Sequence, residues 1–194
     1  MIQRRGDKKK FKEFVRAIKK NPLRYYFIHT GLKKLAEDGV DLNTQTYMNQ
    51  TLLHLAIKLE NARLLRMFLK AGVNVNLANE GGLTPLHMAV LEDRLDFVRI
   101  LVLGGCDCNL GAEMEQTPLH LAVCNGKHDI SKYLLDHGAD IWALDEVNNY
   151  PIDYAIDEKD LKMIRLLCQY QDIDDDRQEK IAFIERSVSN VVYQ

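Results

Sequence analysis

Cysteine, proline, glycine and long apolar runs are all scarce in this chain of 194 residues, and each scarcity excludes a class of protein. Four cysteines are too few for a disulfide scaffold, which favours a reducing, intracellular compartment. Four prolines and eleven glycines leave little room for a long linker. No apolar run reaches the roughly 18 residues that cross a bilayer, and the charged N-terminus lacks the apolar stretch of a secretory signal.

Neither sign of charge dominates, because 26 Lys and Arg face 28 Asp and Glu for a formal net charge of −2. No attraction of the whole chain to nucleic acid or anionic lipid is therefore indicated. The charge is unevenly spread: residues 1–20 carry nine basic and two acidic side chains, and acid is densest at residues 172–176. The basic run Lys8–Lys12 resembles a nuclear-import signal or a phosphate-contacting patch, with a solvated helix surface as the alternative.

The chain repeats itself with a period of 33 residues. The first marker is TLLHLA from Thr51, TPLHMA from Thr84, TPLHLA from Thr117 and, more weakly, YPIDYA from Tyr150. The second marker is a glycine that opens a short loop segment, at Gly39, Gly72, Gly105 and Gly138. The third is a bulky apolar residue four places earlier, at Leu35, Phe68, Leu101 and Leu134. Markers that keep one register over several copies indicate a repeat array.

The local chemistry of one copy predicts two helices. Thr84 is a good N-cap, because its hydroxyl can accept from the first-turn N–H groups, and Pro85 suits the first helical position. A second helix is predicted from Leu95 to about Leu103, and Gly105 ends it in a left-handed conformation. Each unit is too small to bury its own apolar face, so stability must come from stacking.

These motifs resemble the ankyrin-repeat family, whose period is 33 residues and whose signature is T-P-L-H-x-A. The match is strong from about Asp41 to Leu144 and weaker to about Tyr170, while residues 1–38 match only through their second helix and Gly39. The resemblance implies an all-α solenoid of about five helix-turn-helix repeats with β-turn or hairpin loops. It implies a surface that binds proteins, and no catalysis.

We expect a single domain over residues 1–194, made of repeats between two caps. The parts are an N-terminal capping repeat at 1–43, central repeats at 44–76, 77–109 and 110–142, a degenerate repeat at 143–171, and a C-terminal capping helix at 172–194. The N-terminal cap begins with an amphipathic helix from about Lys8 to Lys20, whose apolar stripe is Phe11, Phe14, Val15 and Ile18. A similar stripe lies between Asp175 and Val192.

Trp142 departs from the loop asparagine of the other copies, at 43, 76 and 109. Because large aromatic side chains are mostly buried, we expect Trp142 to pack at the junction with the last repeat.

The candidate metal ligands are better explained as structural residues. His54, His87 and His120 lie one repeat apart, roughly 10 Å, which is too far for one ion whose bonds are about 2 Å. In ankyrin-like repeats this histidine bridges to neighbouring backbone. The pair Cys106-x-Cys108 lacks the second pair of a zinc site, so we expect the cysteines, including Cys168 on an apolar helix face, to pack as small hydrophobes. No catalytic motif, cofactor or metal site is expected.

The surface that would carry function is the concave side of the array, built in this family from hairpin tips and the exposed face of each first helix. The positions in register there include apolar residues beside glutamates, and an apolar band with a charged rim is typical of a protein-binding site. The predicted partner-binding residues are Tyr47, Met48, Leu59, Glu80, Leu83, Leu91, Glu92, Glu113, Met114 and Asn125.

The sequence thus predicts a non-catalytic protein–protein interaction module, a regulatory or inhibitory adaptor whose partner is a protein such as a kinase or a transcription factor. The alternative is a nucleic-acid- or membrane-associated adaptor that uses the basic N-terminal helix, although nucleic acid is not the expected partner. An enzyme has no supporting motif. We expect a monomer or a subunit of a hetero-complex, located in the cytoplasm or also in the nucleus.

Overall fold

The computed structural model of the chain describes residues 2–170, 177–179 and 181–182, without the side chains of residues 2–5 and of Tyr47. Over these residues the secondary structure is helical and contains no strand, as the all-α prediction requires. The helices are α1 (Ile2–Lys20), α2 (Tyr25–Glu37), α3 (Leu52–Lys58), α4 (Ala62–Lys70), α5 (Pro85–Leu91), α6 (Leu95–Leu103), α7 (Pro118–Cys124), α8 (His128–Asp136), α9 (Pro151–Asp157) and α10 (Leu161–Leu167). Short 3-10 turns span Tyr47–Asn49 and Glu113–Glu115.

The 33-residue period of the sequence is kept by the helices. The first helices of successive repeats, α3, α5, α7 and α9, begin at residues 52, 85, 118 and 151, and each is seven residues long. The second helices follow after a short turn. In three repeats the first helical residue is a proline, whose ring fixes a helical φ where no N–H donor is needed. The predicted pair of helices per repeat is confirmed.

The repeated threonine and glycine mark the two ends of each repeat. The hydroxyl oxygens of Thr51 and Thr117 accept the N–H groups three residues later, at 3.5 and 3.4 Å. Gly72 and Gly138 have φ of 80° and 89°, the left-handed region that only glycine enters readily. Just after Gly72, the N–H of Val73 donates back to the carbonyl of Phe68 at 3.2 Å. An apolar residue recurs at the Phe68 position because its side chain is buried.

The chain divides into two compact units. The first comprises Met1–Ala89 and Asp96–Cys106, and the second comprises Val90–Leu95 and Asp107–Gln194. The single domain with its repeat boundaries stays a prediction. Within each unit the core is built from the inward faces of the helices. The first unit fully buries large side chains such as Phe11, Phe68 and Phe97, and the second buries Leu119, Leu134, Ile152, Met163 and Leu167.

The N-terminal helix is longer than predicted, because α1 begins at Ile2 rather than near Lys8. Its apolar stripe is nevertheless buried as expected, with Phe11 and Ile18 fully enclosed. Gly31 of α2 lets the helices approach closely, since a Cβ built there would lie 2.6 Å from the Phe14 ring. The stripe therefore packs on α2, and α1 presents its basic face outward.

The prediction that Trp142 is packed is wrong, because half of its surface is exposed. The loop asparagines at this register use their side chains to reach the next repeat: Asn109 Oδ1 accepts the N–H of Asp140 at 2.7 Å. This loop position lies near solvent, so an indole placed there is exposed as well. It packs only edge-on against the ring of Tyr150, with ring centroids 5.7 Å apart.

The burial predicted for the cysteines holds only in part. Cys108 is buried and Cys106 is half-buried, but Cys124 and Cys168 are exposed. Cys168 is not on the apolar face, because it follows the end of α10 as its C-cap residue, after Leu167 has taken the buried position. All four, which lie within the described residues, are thiols.

Most of the predicted C-terminal capping helix lies outside the described residues, including Ile184, Val188 and Val191 of the expected stripe, whereas its first member, Ile181, is described and half-buried. Residues 177–179 and 181–182 are helical. Arg177 donates two hydrogen bonds to the carboxylate of Asp153, at 2.7 and 2.8 Å, and its guanidinium lies 4.8 Å from the centre of the Tyr150 ring. The degenerate repeat is thus tied to residues that follow it.

Candidate functional site

The loops between repeats are short hairpin-like turns closed by backbone hydrogen bonds. In the first unit the N–H of Thr46 donates to the carbonyl of Gln50, and that of Asn79 to Leu83, both at 2.9 Å. In the second unit the N–H of Ala112 donates to Gln116 at 2.9 Å, and that of Asp145 to Asn149 at 3.2 Å. Each closure leaves three residues at a tip.

Two of these tips carry a methionine on left-handed backbone. Met48 and Met114 have φ of 60° and 59°, a conformation that costs a non-glycine residue about 1–2 kcal/mol. Their side chains stay 52% and 45% exposed, so about half of each remains available to a partner. In the tip between them Gly81 takes the methionine position without a positive φ, and the left-handed residue is the next one, Gly82, with φ of 71°, in register with Asn49 and Glu115 at 53° and 54°.

Each methionine tip is joined to a glutamate on the next tip of its own unit. The N–H of Glu80 donates to the carbonyl of Met48 at 3.1 Å in the first unit. The N–H of Glu146 donates to the carbonyl of Met114 at 3.0 Å in the second. Both glutamates are exposed. Each unit therefore presents the same pair, an exposed thioether beside a carboxylate.

Buried histidines hold these tips from the inside. The Nδ1 atom of His54 accepts the N–H of Thr51 at 3.2 Å and lies 2.8 Å from its hydroxyl. Because Nδ1 accepts, the ring proton lies on Nε2, which donates to the carbonyl of Leu83 in the next loop at 2.9 Å. His120 bridges to the carbonyl of Asn149 in the same way at 3.1 Å. The predicted bridge to neighbouring backbone is confirmed for His54 and His120, and His87 makes the same contacts to Thr84 at the start of its helix.

Burial makes both bridging imidazoles weaker bases. Burial lowers the pKa of His54, only partly opposed by the hydrogen bond to the Leu83 carbonyl. Burial also lowers the pKa of His120, opposed by the carbonyl of Asn149 and by the charge of Asp145. Both rings are therefore neutral near pH 7, which is the state that the bridge requires.

The structure exposes most of the residues predicted to bind a partner, in two sets. In the first unit Met48 and Glu80 are exposed, whereas Leu59 and Leu83 are half-buried. The backbone of Tyr47 lies in its tip, but its side chain is outside the described residues. The second unit exposes the remaining five: Leu91, Glu92, Glu113, Met114 and Asn125.

A buried carboxylate in the second unit was missed by the sequence reasoning. Asp145 accepts the N–H groups of Val147 and Asn149 with one oxygen, at 3.0 and 2.9 Å, and the Tyr154 hydroxyl with the other at 2.5 Å. Burial alone would raise the pKa of Asp145, but these hydrogen bonds outweigh it and hold the pKa below its ordinary value. Asn79 makes the equivalent turn 66 residues earlier, which is the signal that could have identified this role.

The exposed face of α1 forms the other charged feature of the first unit. Lys8, Lys9, Lys12 and Arg16 line a shallow depression together with Glu13. Lys9, Lys12 and Arg16 stand three and four residues apart on one helix face, and with the adjacent Lys8 they form a basic patch away from the buried apolar stripe.

The described part of the chain contains neither a cluster of metal ligands nor a membrane-spanning helix. Among residues 2–170, 177–179 and 181–182, no group of three or more His, Cys, Asp or Glu side chains is placed to hold a metal ion. No helix of that part has the length and apolarity to cross a bilayer.

Comparison with known proteins identifies the repeat. A family model described as ankyrin repeats, three copies, matches residues 25–112 and, in a second placement, residues 101–178. No curated protein sequence matches the chain. Ankyrin repeats generally mediate protein–protein interaction, and the family is typically non-catalytic.

Proposed function

Because the chain belongs to the ankyrin-repeat family, we propose that it is a non-catalytic adaptor that binds a protein partner through its hairpin tips and the exposed ends of its first helices. The partner is a regulated protein such as a kinase or a transcription factor, and the chain acts as its regulatory or inhibitory subunit. The binding residues are those predicted from the sequence, led by Met48 in the first unit and Met114 in the second.

The observation that carries this proposal is the repeated pairing of an exposed methionine with a glutamate. Met48 and Met114 occupy strained backbone while about half of each side chain stays exposed, and backbone strain of this kind clusters at functional sites. A thioether on three rotatable bonds adapts to apolar partner surfaces. The adjoining Glu80 and Glu146 favour a partner segment that combines apolar residues with lysine or arginine.

The rigidity of the tips supports the same proposal. His54 fixes the loop that contains Leu83, and His120 fixes the loop that ends at Asn149. Pre-organised loops lose little conformational entropy when a partner binds, so a modest apolar contact can yield measurable affinity.

The test places a photo-crosslinking amino acid at Met48 or Met114 in the full chain and identifies by mass spectrometry what it captures in the native cell. Binding of the purified partner is then measured for Met48→Glu and Met114→Glu. We expect each to weaken binding by about 1–3 kcal/mol, since central anchors dominate interfaces. Leu23→Glu is the matched control, because Leu23 is 69% exposed and lies outside the tips.

Thermal melting of each variant separates binding from folding. Both methionines are half exposed, so their replacement should leave the melting temperature near that of the wild type. If the methionine variants melt normally and retain wild-type affinity, the proposed docking surface is wrong. If the control weakens binding as much as they do, the partner contacts a different face.

The basic face of α1 favours the second candidate, an adaptor for nucleic acid or an anionic membrane. Lys8, Lys9, Lys12 and Arg16 are its contacts. Binding to phosphates would fall steeply between low and moderate salt, and Lys12→Glu would weaken it. Salt-independent binding to the tips would instead favour the first candidate. A cytoplasmic location, or additional entry into the nucleus through this basic run, is likewise proposed and is checked by imaging the tagged chain.

A further inference from the structure

An apolar groove lies between α2 and α4 in the first unit. Its volume is about 710 Å³. Leu32, Ala36, Leu42, Met67 and Ala71 supply its apolar lining. These side chains come from both helices and from the loop after α2, so they form one concave surface rather than scattered exposed residues.

The rim of this groove is basic. Arg63, Arg66 and Lys70 stand three and four residues apart on α4, which places them along one face of the helix. Lys33 of α2 lies on the other side, and no carboxylate belongs to the lining. Arg63 is held in place by the ring of Tyr25, whose centre lies 4.1 Å from the guanidinium carbon.

A second groove of about 560 Å³ adjoins the first, between α4 and α6. Arg66 and Lys70 line both grooves, so they form the ridge between them. The apolar lining of the second groove includes Leu69 and Leu103, and Leu103 is 80% exposed. A large leucine exposed to this degree beside cations is typical of an interaction surface.

We propose that these two grooves bind an acidic amphipathic segment of another protein. Its apolar side chains would lie against Met67 and Leu103, and its carboxylates would pair with Arg66 and Lys70 on the ridge. Two arginines in the rim favour carboxylates, because the planar guanidinium can bind both oxygens at once. Helical segments that dock in this way place apolar residues at intervals of three and four.

The chemistry of the grooves favours a peptide over nucleic acid. Proteins that bind single strands stack bases on aromatic side chains, whereas the apolar lining here is aliphatic, with His29 as the single ring among the lining residues of both grooves. The grooves share no residue with the hairpin tips, and their net charge is opposite to that of the tip glutamates. Asp96 in the lining of the second groove is outnumbered there by Arg66, Lys70 and Arg99. This inference therefore stands apart from the proposed function, and either can fail alone.

The test measures binding of fluorescent peptides to the full chain by anisotropy. The probe is a helical peptide of about 14 residues that carries leucines at intervals of three and four and glutamates elsewhere. One comparison peptide replaces the leucines with serine, and another replaces the glutamates with lysine. The protein variants are the groove double Arg66→Glu/Lys70→Glu and the control double Lys19→Glu/Lys20→Glu, which makes the same charge change at two exposed lysines at the end of α1. Circular dichroism checks that both variants remain folded.

We expect the acidic leucine peptide to bind the wild type, and the groove double to weaken that binding by at least about tenfold. The control double should change it less than about twofold, because its charges lie on another helix face. Both comparison peptides should bind at least about tenfold more weakly.

Four results would overturn the proposal. Equal binding of the serine peptide would mean plain charge attraction. Equal binding to the groove double would place the site elsewhere. Undetectable binding of the leucine peptide would mean that the grooves do not bind a segment of this kind. A single-stranded oligonucleotide that binds more tightly than the peptide, and loses binding in the groove double, would identify a nucleic-acid site instead. Should the groove double not fold, Met67→Gln, which removes an apolar contact without changing charge, gives the same comparison.

Discussion

Removing the buried imidazole of His54 should measurably weaken the array. The ring makes contacts on both sides: Nδ1 accepts the N–H of Thr51, and Nε2 donates to the carbonyl of Leu83, 29 residues along the chain. In His54→Ala the Thr51 N–H and the Leu83 carbonyl both lose this partner, and a cavity replaces a ring that is fully buried.

The expected loss follows from those two contacts. Leaving one buried polar group without a partner costs about 1–3 kcal/mol, and water reaches the Leu83 carbonyl more readily than the Thr51 N–H, because Leu83 is half-buried and Thr51 is buried. With the cavity included, we expect His54→Ala to lower the free energy of unfolding by about 3 kcal/mol. Because stability in a repeat array depends on neighbouring contacts, the effect should extend beyond one repeat.

A second substitution at His54 separates the hydrogen bond to the Thr51 N–H, which caps the helix, from the hydrogen bond to the Leu83 carbonyl, which bridges to the next loop. In the degenerate repeat Asp153 occupies the histidine position, and its carboxylate accepts the N–H of Tyr150 at 2.9 Å. The shorter His54→Asn should accept the Thr51 N–H in the same way but cannot reach Leu83. We expect it to recover about 1 kcal/mol of the loss in His54→Ala, and the remainder measures the bridge and the cavity.

Urea unfolding followed by circular dichroism gives the midpoints and slopes for the wild type and both variants. Equal slopes are required before midpoints are converted into free energies. A His54→Ala midpoint equal to that of the wild type would refute the bridge as a source of stability. If His54→Asn is as unstable as His54→Ala, the hydrogen bond to the Thr51 N–H contributes nothing to stability in the asparagine variant.

Three further predictions test other parts of the frame. Burial lowers the pKa of His120 as it does that of His54, so below the ordinary histidine pKa of about 6.5 the folded state binds fewer protons than the unfolded chain. The contribution to stability is complete above that pH and is lost as the pH drops toward the folded pKa, which should appear as a declining urea midpoint. Gly31→Ala should lower the melting temperature, because the new Cβ would lie 2.6 Å from a phenylalanine ring of α1; Gly6→Ala in α1, with nothing within 4 Å, is the control and should not lower it. Arg177→Lys should cost about 1 kcal/mol, because lysine cannot make both hydrogen bonds to Asp153; an unchanged melting temperature would contradict that anchor.

The frame of each repeat could be predicted from sequence because its determinants are local and recur. Thr51 caps a helix that starts at the next residue, and Gly72 ends the following helix with positive φ. Both depend on neighbours within a few positions, so one copy suffices to interpret them and a 33-residue repetition confirms them. The bridge from His54 to Leu83 was expected from the family resemblance, but its atoms and direction required the structure.

The surfaces could be predicted less well, because exposure depends on residues distant in sequence. Leu59 was expected to be exposed, yet it is half-buried. Trp142 was expected to pack, yet it is half exposed, and the asparagine at its position in the preceding repeat, Asn109, is exposed as well. The strain at Met48 could not be predicted either, since a methionine in a turn does not specify the sign of φ. The position of a residue within the repeat therefore predicts which loop it belongs to, but the neighbouring loops determine how much of its side chain is exposed.

The basic grooves of the first unit show the same limit most clearly. Arg63, Arg66 and Lys70 are unremarkable as a helix face in sequence, where a charged stripe usually means a solvated surface. They become a candidate site only because α2 and α6 place Leu32 and Leu103 beside them. Those residues are separated by tens of positions, and only the stacking of second helices brings them together. The helices and turns of the repeat recur from copy to copy, so the sequence alone predicts them. Each binding surface arises from side chains that differ between copies, so identifying it requires the structure.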